Sequence, residues 1–366
     1  MGGLVETFAK VVGRSQRRTI PYEMFDIDRY GVDARSAHVL ERIYHKGQKL
    51  SWDGKEVLST LIAEHGQPNV DQETKEALGR IFSVILWGEL AAWRISAQLA
   101  DELDCLEAKM AATSQAFDEA RHFYVMHDYL KELDALPDRM PDGAEKLLLE
   151  VMNTNSLAKK LLGMQLMVEP VALTIFQVIR GINVEPVLTH LLPYYERDEA
   201  RHVALGLRYL PALIAKMSTA ERLDLFFYQM KLLTYEVLTQ STLRKDLQKL
   251  GIDPRDMIDI GRGKQLQALN EVFGVIDPSK RDLANRILER YVDVAVEYTL
   301  PSADQSDALP DRLKRAFQVL VQGAGYTTEH EIDPGITDDQ VPLIRGLKEE
   351  AEKRKKKAKR RKSAGS

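Results

Sequence analysis

The pentapeptide Asp-Glu-Ala-Arg-His occurs twice in this chain, at 118–122 and at 198–202, eighty positions apart. In each copy Glu and His stand three residues apart, which puts them on one face of a helix. Thirty residues before each of these glutamates another one lies in an apolar stretch, Glu89 in VILWGELAAW and Glu169 in GMQLMVEPVAL. The offset is eighty for all three pairs, 89/169, 119/199 and 122/202. One Glu-x-x-His on a helix is most often a solvated pair. Three acidic and imidazole positions repeated in register leave far fewer folds open.

The thirty-residue interval has a geometric meaning. Two antiparallel helices that meet at a turn halfway have arms of about fifteen residues, roughly 22 Å at 1.5 Å per residue. The midpoints are Asp104, in DELDC, and Val184, in GINVEP, and both stretches read as turns on other grounds. Folding there brings Glu89 level with Glu119, and Glu169 level with Glu199. Two such hairpins packed together form a four-helix bundle with four carboxylates and two imidazoles at mid-height. The alternative is a duplicated hairpin that kept surface charges by accident. Against it, Glu89 and Glu169 lie among Trp87, Leu90 and Trp93, and among Met164, Val168 and Val171. Several carboxylates buried together repel one another unless they are protonated, and cations between them remove the repulsion.

The rest of the chain reads as helix. Composition is rich in Ala, Leu, Glu, Lys and Arg, and no strand-like alternation stands out. Helices are expected over 34–44, 73–100, from a capping pair Asp104/Glu107 to 133, over 144–152, and from a cap in NTNS at 153–156 to 180. The helix of the second pentapeptide is expected to end near 209 and to bend at Pro193. Ser218 and Glu221 form a capping box for a helix to about 250. GIDPRDMIDIGRG reads as a break, followed by helices over 264–273, 279–298 and 307–322. Residues 1–70 read as a lead-in, 71–215 as the bundle, 216–345 as a helical extension packed on it, and 346–366 as a basic, disordered tail. The expected class is therefore all-α: a four-helix bundle with added N- and C-terminal helices.

Charge and cysteine content bound the setting. The net charge of −4 hides nine basic residues within 353–366, so the remainder carries 42 basic against 55 acidic residues. The tail reads as a solubilising extension, with an electrostatic contact as the alternative. No aromatic residue interleaves its lysines, so nucleic-acid binding is not expected. One cysteine, Cys105, excludes an intrachain disulfide and suits a cytoplasmic setting. No signal-peptide core and no run of 18 uncharged apolar residues stand out, so no membrane span is expected.

Four carboxylates and two histidines without a thiolate disfavour iron–sulfur clusters and structural zinc. One Glu from each of two helices, and Glu-x-x-His from each of the other two, resembles the ferritin-like di-iron carboxylate superfamily. The resemblance covers about residues 73–209. With Asp-Glu-x-Arg-His in both halves, the chain looks most like the hydroxylase subunits of bacterial multicomponent monooxygenases. Acyl-carrier-protein desaturases, the ribonucleotide reductase small subunit and its ligand-binding oxidase relatives are similar in layout. The resemblance implies that Glu89, Glu119 and His122 hold one iron, and Glu169, Glu199 and His202 the other, with Glu119 and Glu199 as bridges. A manganese/iron pair would use the same ligands. It further implies that Asp118 orients His202 and Asp198 orients His122, with Arg121 and Arg201 fixing the two aspartates.

Such a centre implies O₂ activation: hydroxylation, desaturation or N-oxygenation of a small, largely apolar molecule. It also implies an electron-donating reductase or ferredoxin, and a homodimer. Iron storage or a ferroxidase role, and a radical-supplying subunit of a larger complex, are the competing readings. The position of the reductase radical tyrosine, four residues after the first histidine, is Met126 here. Tyr195, one turn before Glu199, is the remaining tyrosine candidate. Residues one turn from the ligands, Trp93, Gln115, Phe123, Leu166, Leu173 and Tyr195, are expected to line a pocket, with plain bundle core as the alternative for each. Pro170 should loosen the helix after Glu169 and let Thr174 reach the oxygen side of the site to aid proton delivery.

Overall fold

A computed structural model describes residues 34–275, 278–302 and 304–323. The far N-terminal part of the expected lead-in, the end of the extension and the basic tail lie outside the described residues. Among the described residues every regular element is a helix and there is no strand.

The first helices run α1 Ala34–Leu50, α2 Gly54–His65, α3 Gln72–Glu102 and α4 Leu106–Glu132. They are followed by α5 Asp142–Asn153 and α6 Leu157–Leu161, a π-helical segment Leu162–Val168, α7 Glu169–Ile182 and α8 Pro186–Lys216. The last group is α9 Thr219–Thr242, α10 Arg244–Lys249, α11 Pro254–Val272, α12 Pro278–Thr299 and α13 Leu309–Gln322.

Two hairpins make the bundle. The α3–α4 link is 103–105, centred on Asp104, and the α7–α8 link is 183–185, centred on Val184. The first turn is not closed by the expected pair: Cys105 is the N-cap of α4, without a side-chain cap bond, and its thiol faces Glu107. In the second, Asn183 takes the left-handed conformation at φ 51° and closes α7. Glu185 caps α8 by accepting from the Val187 and Leu188 amides at 3.1 and 2.7 Å, and Pro186 fills the first helical position. Its carboxylate also accepts the Tyr129 hydroxyl at 3.0 Å, which ties this turn to α4.

Several elements depart from expectation for local reasons. Helix α1 continues through Leu50, because the face carrying Ala37, Leu40, Gly47 and Leu50 is buried against α4 and α8. Gly47 permits the approach: a Cβ there would sit 2.1 Å from the Ser114 hydroxyl. The 254–263 stretch is helical, since Asp253 caps it and Pro254 stands at its start, where proline opens a helix. The long helix after the Ser218–Glu221 capping box, which is present, stops at Thr242. There Thr239 and Thr242 turn their hydroxyls onto backbone carbonyls. Helix α8 continues to Lys216 with Pro193 and Pro211 inside it.

The run of buried apolar residues along the four bundle helices is interrupted once in each. On α3 an apolar cluster ends at Leu86, Glu89 follows, and a second cluster resumes at Ala91. On α4 the order is reversed, with Ala108–Ala112 in one cluster, Gln115–His122 between, and Val125–Leu133 in the other. The same reversal relates the π-segment and α7 to α8. The bundle thus has two apolar cores with one polar layer between them. The stretch Leu157–Ile182 is long and apolar enough to cross a membrane by length and composition, but it carries Glu169 and 67% of its apolar window is buried in this fold, so no membrane span is needed.

Candidate metal centre

The polar layer gathers the six repeated residues. Glu89 comes from α3, Glu119 and His122 from α4, Glu169 from the start of α7, and Glu199 and His202 from α8. All six are buried, at 5% exposure or less. They form two overlapping groups, Glu89/Glu119/His122/Glu199 and Glu119/Glu169/Glu199/His202. In each group one ligand atom per residue lies within 4.8 Å of the others. Glu119 and Glu199 belong to both. These buried Glu and His groups can hold a metal ion.

Both imidazoles present Nδ1 to the carboxylates. His122 Nδ1 lies 3.0 Å from Glu199, 3.4 Å from Glu119 and 3.4 Å from Glu89. His202 Nδ1 lies 2.7 Å from Glu199, 3.1 Å from Glu119 and 3.8 Å from Glu169. Two ligands at right angles about 2.1 Å from one ion lie roughly 3 Å apart, so these spacings suit shared coordination. His122 Nδ1, Glu119 Oε2 and Glu199 Oε1 are buried with no hydrogen-bond partner. Orphaned lone pairs of this kind are costly in a dry interior, and a cation among them removes the cost.

The opposite ring nitrogens cross the bundle. His202 Nε2 meets Asp118 at 3.3 Å and His122 Nε2 meets Asp198 at 3.3 Å. Arg121 donates to Asp118 at 2.6 Å and to Asp198 at 2.8 Å. Arg201 donates to Asp198 at 2.8 Å and to Asp118 at 2.9 Å. Each arginine therefore spans both aspartates, a tighter brace than one anchor per aspartate.

Two braces were missed by sequence reasoning. The Trp52 indole donates to Asp198 at 2.7 Å from the loop between α1 and α2. Arg197 donates to Asp198 at 3.0 and 3.1 Å and to the Leu50 carbonyl at 2.8 Å. The one available signal was the residue before each pentapeptide, which is Phe117 in the first copy and Arg197 in the second.

The charges sort by position. Burial opposes ionisation of Asp198, but Arg201, His122, Arg197 and Arg121 outweigh it and hold the carboxyl well below the ordinary range. Burial likewise opposes Glu199 and Glu119, yet His202 chiefly keeps both low. Burial raises Glu89 and Glu169 well above the ordinary range, and Glu199 and Glu119 add to the rise. Both histidines are also raised well above theirs. Burial disfavours their charge, but Glu89 beside His122, and Glu119 and Glu199 beside His202, prevail.

The helix path explains where Glu169 sits. Its amide bonds to the Met164 carbonyl, five residues back, at the end of the π-helical segment. Pro170 has no N–H to return to Leu166, and the wider turn absorbs that gap. The widened turn lies before Glu169, not after it. Thr174 therefore sits in regular helix and donates to the Pro170 carbonyl at 2.7 Å. It lines a second cavity between α7, α9 and α11, away from Glu169.

Glu89 and Glu169 line a first cavity, which opens toward the protein surface. Its wall is mainly apolar, from Val84, Ile85, Ala92, Leu147, Leu148, Met164 and Ile175, with Glu236, Thr239 and Gln240 of α9. None of the expected pocket residues lines it. Trp93 is 42% exposed on the outer face of α3. Gln115 is buried and donates to Glu119 at 2.9 Å and Glu169 at 2.8 Å, so it braces the carboxylates themselves. Leu166 is fully buried core, while Phe123 and Leu173 are half-buried away from the cavity. Tyr195 is fully buried, stacks on His122 at 4.5 Å between ring centres, and donates its hydroxyl to the His122 carbonyl at 2.7 Å. No protein-family model matches the sequence, and a search of curated proteins finds no match.

Proposed function

We propose that the chain is a non-haem di-iron oxidoreductase that uses O₂ to oxidise a small, largely apolar organic molecule by hydroxylation, desaturation or N-oxygenation. One observation carries this reading: two ligand groups share Glu119 and Glu199, and their outer carboxylates Glu89 and Glu169 line an apolar cavity. The layout is that of the ferritin-like di-iron carboxylate proteins. Charge supports two ions. Once metal uptake has displaced the protons of Glu89 and Glu169, the four glutamates would carry four negative charges, which two divalent ions balance, while Asp118 and Asp198 are balanced separately by Arg121 and Arg201.

Glu89, Glu119, His122 and Glu199 would hold one ion, and Glu119, Glu169, Glu199 and His202 the other. An iron pair bound there supplies electrons to O₂ within one site; a manganese/iron pair would use the same donors. The chain's own residues do the positioning. Asp118 and Asp198 accept the Nε2 proton of the histidine across the bundle and so keep each Nδ1 free as a donor to metal. Arg121, Arg201, Arg197 and Trp52 keep the aspartates ionised and immobile. Gln115 restrains Glu119 and Glu169. The apolar wall keeps bulk water from the reacting side. Reduction of O₂ calls for electrons from outside the chain, supplied by a reductase or ferredoxin.

A second reading, a radical-supplying subunit, has one observation in its favour: the Tyr195 ring stacked on His122. Rapid mixing of the reduced, iron-loaded protein with O₂ tests both. The oxygenase reading expects consumption of O₂ with a transient visible absorption and no lasting tyrosyl signal. A lasting radical that disappears in Tyr195→Phe would favour the second reading. No O₂ consumption by the iron-loaded protein would defeat both.

A further inference from the structure

The first cavity has a polar corner that the metal chemistry does not use. Its wall includes three carboxyl side chains, Glu89, Glu169 and Glu236, and no lysine, arginine or histidine. Glu236 stands on α9, across the cavity from α3 and α7. Gln265 of α11 fixes its carboxyl, donating to the two oxygens at 2.9 and 3.0 Å and to the Met167 carbonyl of the π-segment at 3.3 Å. One turn along α9, the Gln240 carbonyl oxygen is buried with no hydrogen-bond partner. Gln240 itself is only 9% exposed. The cavity thus offers two acceptors one turn apart on a mainly apolar wall that holds no cation; Arg262, which lines the adjoining second cavity with them, is paired with Asp259 and Asp293.

Resting on the di-iron reading above, we propose that this cavity binds an apolar amine, its ammonium group held by Glu236 and the Gln240 carbonyl oxygen and its hydrocarbon part lying along the apolar wall toward Glu89 and Glu169. An ammonium group has three donors and no acceptor, which matches the two acceptors and supplies the missing positive charge. A hydroxyl satisfies one acceptor but leaves Glu236 uncompensated. A carboxylate head brings no donor to these acceptors and no base strong enough to take up the Glu236 proton. The state of Glu236 agrees: burial pushes its carboxyl up to about 8, the mark of an acid without a counter-ion.

Calorimetric titration with octylamine, octanol and octanoate, which share one chain and differ in the head group, tests this on the full-length protein. The experiment is run both metal-free and with redox-inert zinc, so it needs no oxygen chemistry. Octylamine is expected to bind at least about tenfold more tightly than octanol, and octanoate not measurably. Glu236→Gln is expected to remove most of the preference for amine over alcohol while keeping the alcohol affinity. Gln240→Leu is expected to weaken the amine several-fold. Octanoate binding as tightly as octylamine, or no binding by any of the three, would overturn the proposal, as would an unchanged preference in a folded Glu236→Gln variant. Amine binding by a protein whose iron form ignores O₂ would sustain the ligand class and defeat only the oxidation chemistry.

Discussion

His122 and His202 each face two ways, with Nδ1 toward the glutamates and Nε2 toward an aspartate of the opposite hairpin. That division assigns each neighbour a distinct effect on substitution. Asp118→Asn and Asp198→Asn should each weaken metal retention, by about 10- to 100-fold, in a chelator competition assay. Asp198→Asn should be the worse, because Asp198 also accepts from Trp52 and Arg197. Glu119→Ala or Glu199→Ala should abolish binding of both ions, since each belongs to both ligand groups, whereas Glu89→Ala or Glu169→Ala should lose one ion before the other. Metal content after desalting distinguishes these patterns. Protons report on the same residues. In the metal-free protein His122, His202, Glu89 and Glu169 hold protons to higher pH than usual, so metal uptake must release them. Metal affinity should therefore rise with pH, and the heat of loading should depend on the ionisation heat of the buffer. Raised histidines have a second consequence. Their stabilisation of the metal-free protein is fully present below the unfolded imidazole value of about 6.5, and it is lost as pH rises through the higher folded value. Unfolding measured across that window should show the decline without metal and a weaker one with it.

At the scale of elements, the two turns set the register and the π-segment sets the depth of Glu169. Glu185 works at the second turn, capping α8 and holding Tyr129 of α4. Glu185→Ala should cost about 1–3 kcal/mol in denaturant unfolding, through the lost cap and the stranded phenol. On α8, one turn past His202, Gly206 lies against the π-segment, and a Cβ there would sit 2.6 Å from Gln165 Cβ. Gly206→Val should therefore destabilise by about 1–3 kcal/mol and reduce metal content, because α8 must move off the segment that carries Glu169. The turn centres Asp104 and Val184 were legible because a thirty-residue interval within a helical hairpin admits one midpoint. The crossing of Asp118 to His202 followed from the resemblance and the repeat together. The cavity wall was not legible. Which residues near Glu89 face it depends on helix rotation, so Gly88 and Ala92 line it while Trp93 points outward. Thr174 was misplaced for a related reason: a proline marks where a helix must adjust, but not on which side of it the wide turn forms. Trp52 reaches Asp198 through the packing of the α1–α2 loop, a contact that no local pattern records, and the only local sign of the Arg197 brace was its place beside Asp198.

For the whole molecule, the governing feature is one polar layer between two apolar cores, with the later helices closing a cavity over it. The four bundle helices hold the layer, and α9 and α11 contribute the far wall through Glu236, Gln240 and Gln265. A chain built only to store iron has no need of such a wall. The arrangement makes the two-ion centre the claim on which all else depends. Anomalous X-ray diffraction from crystals of the iron-loaded protein, recorded on both sides of the iron absorption edge, tests it most directly. Two iron peaks are expected, one among Glu89, Glu119, His122 and Glu199, and one among Glu119, Glu169, Glu199 and His202. A single peak, or iron bound elsewhere with this layer empty, would contradict it.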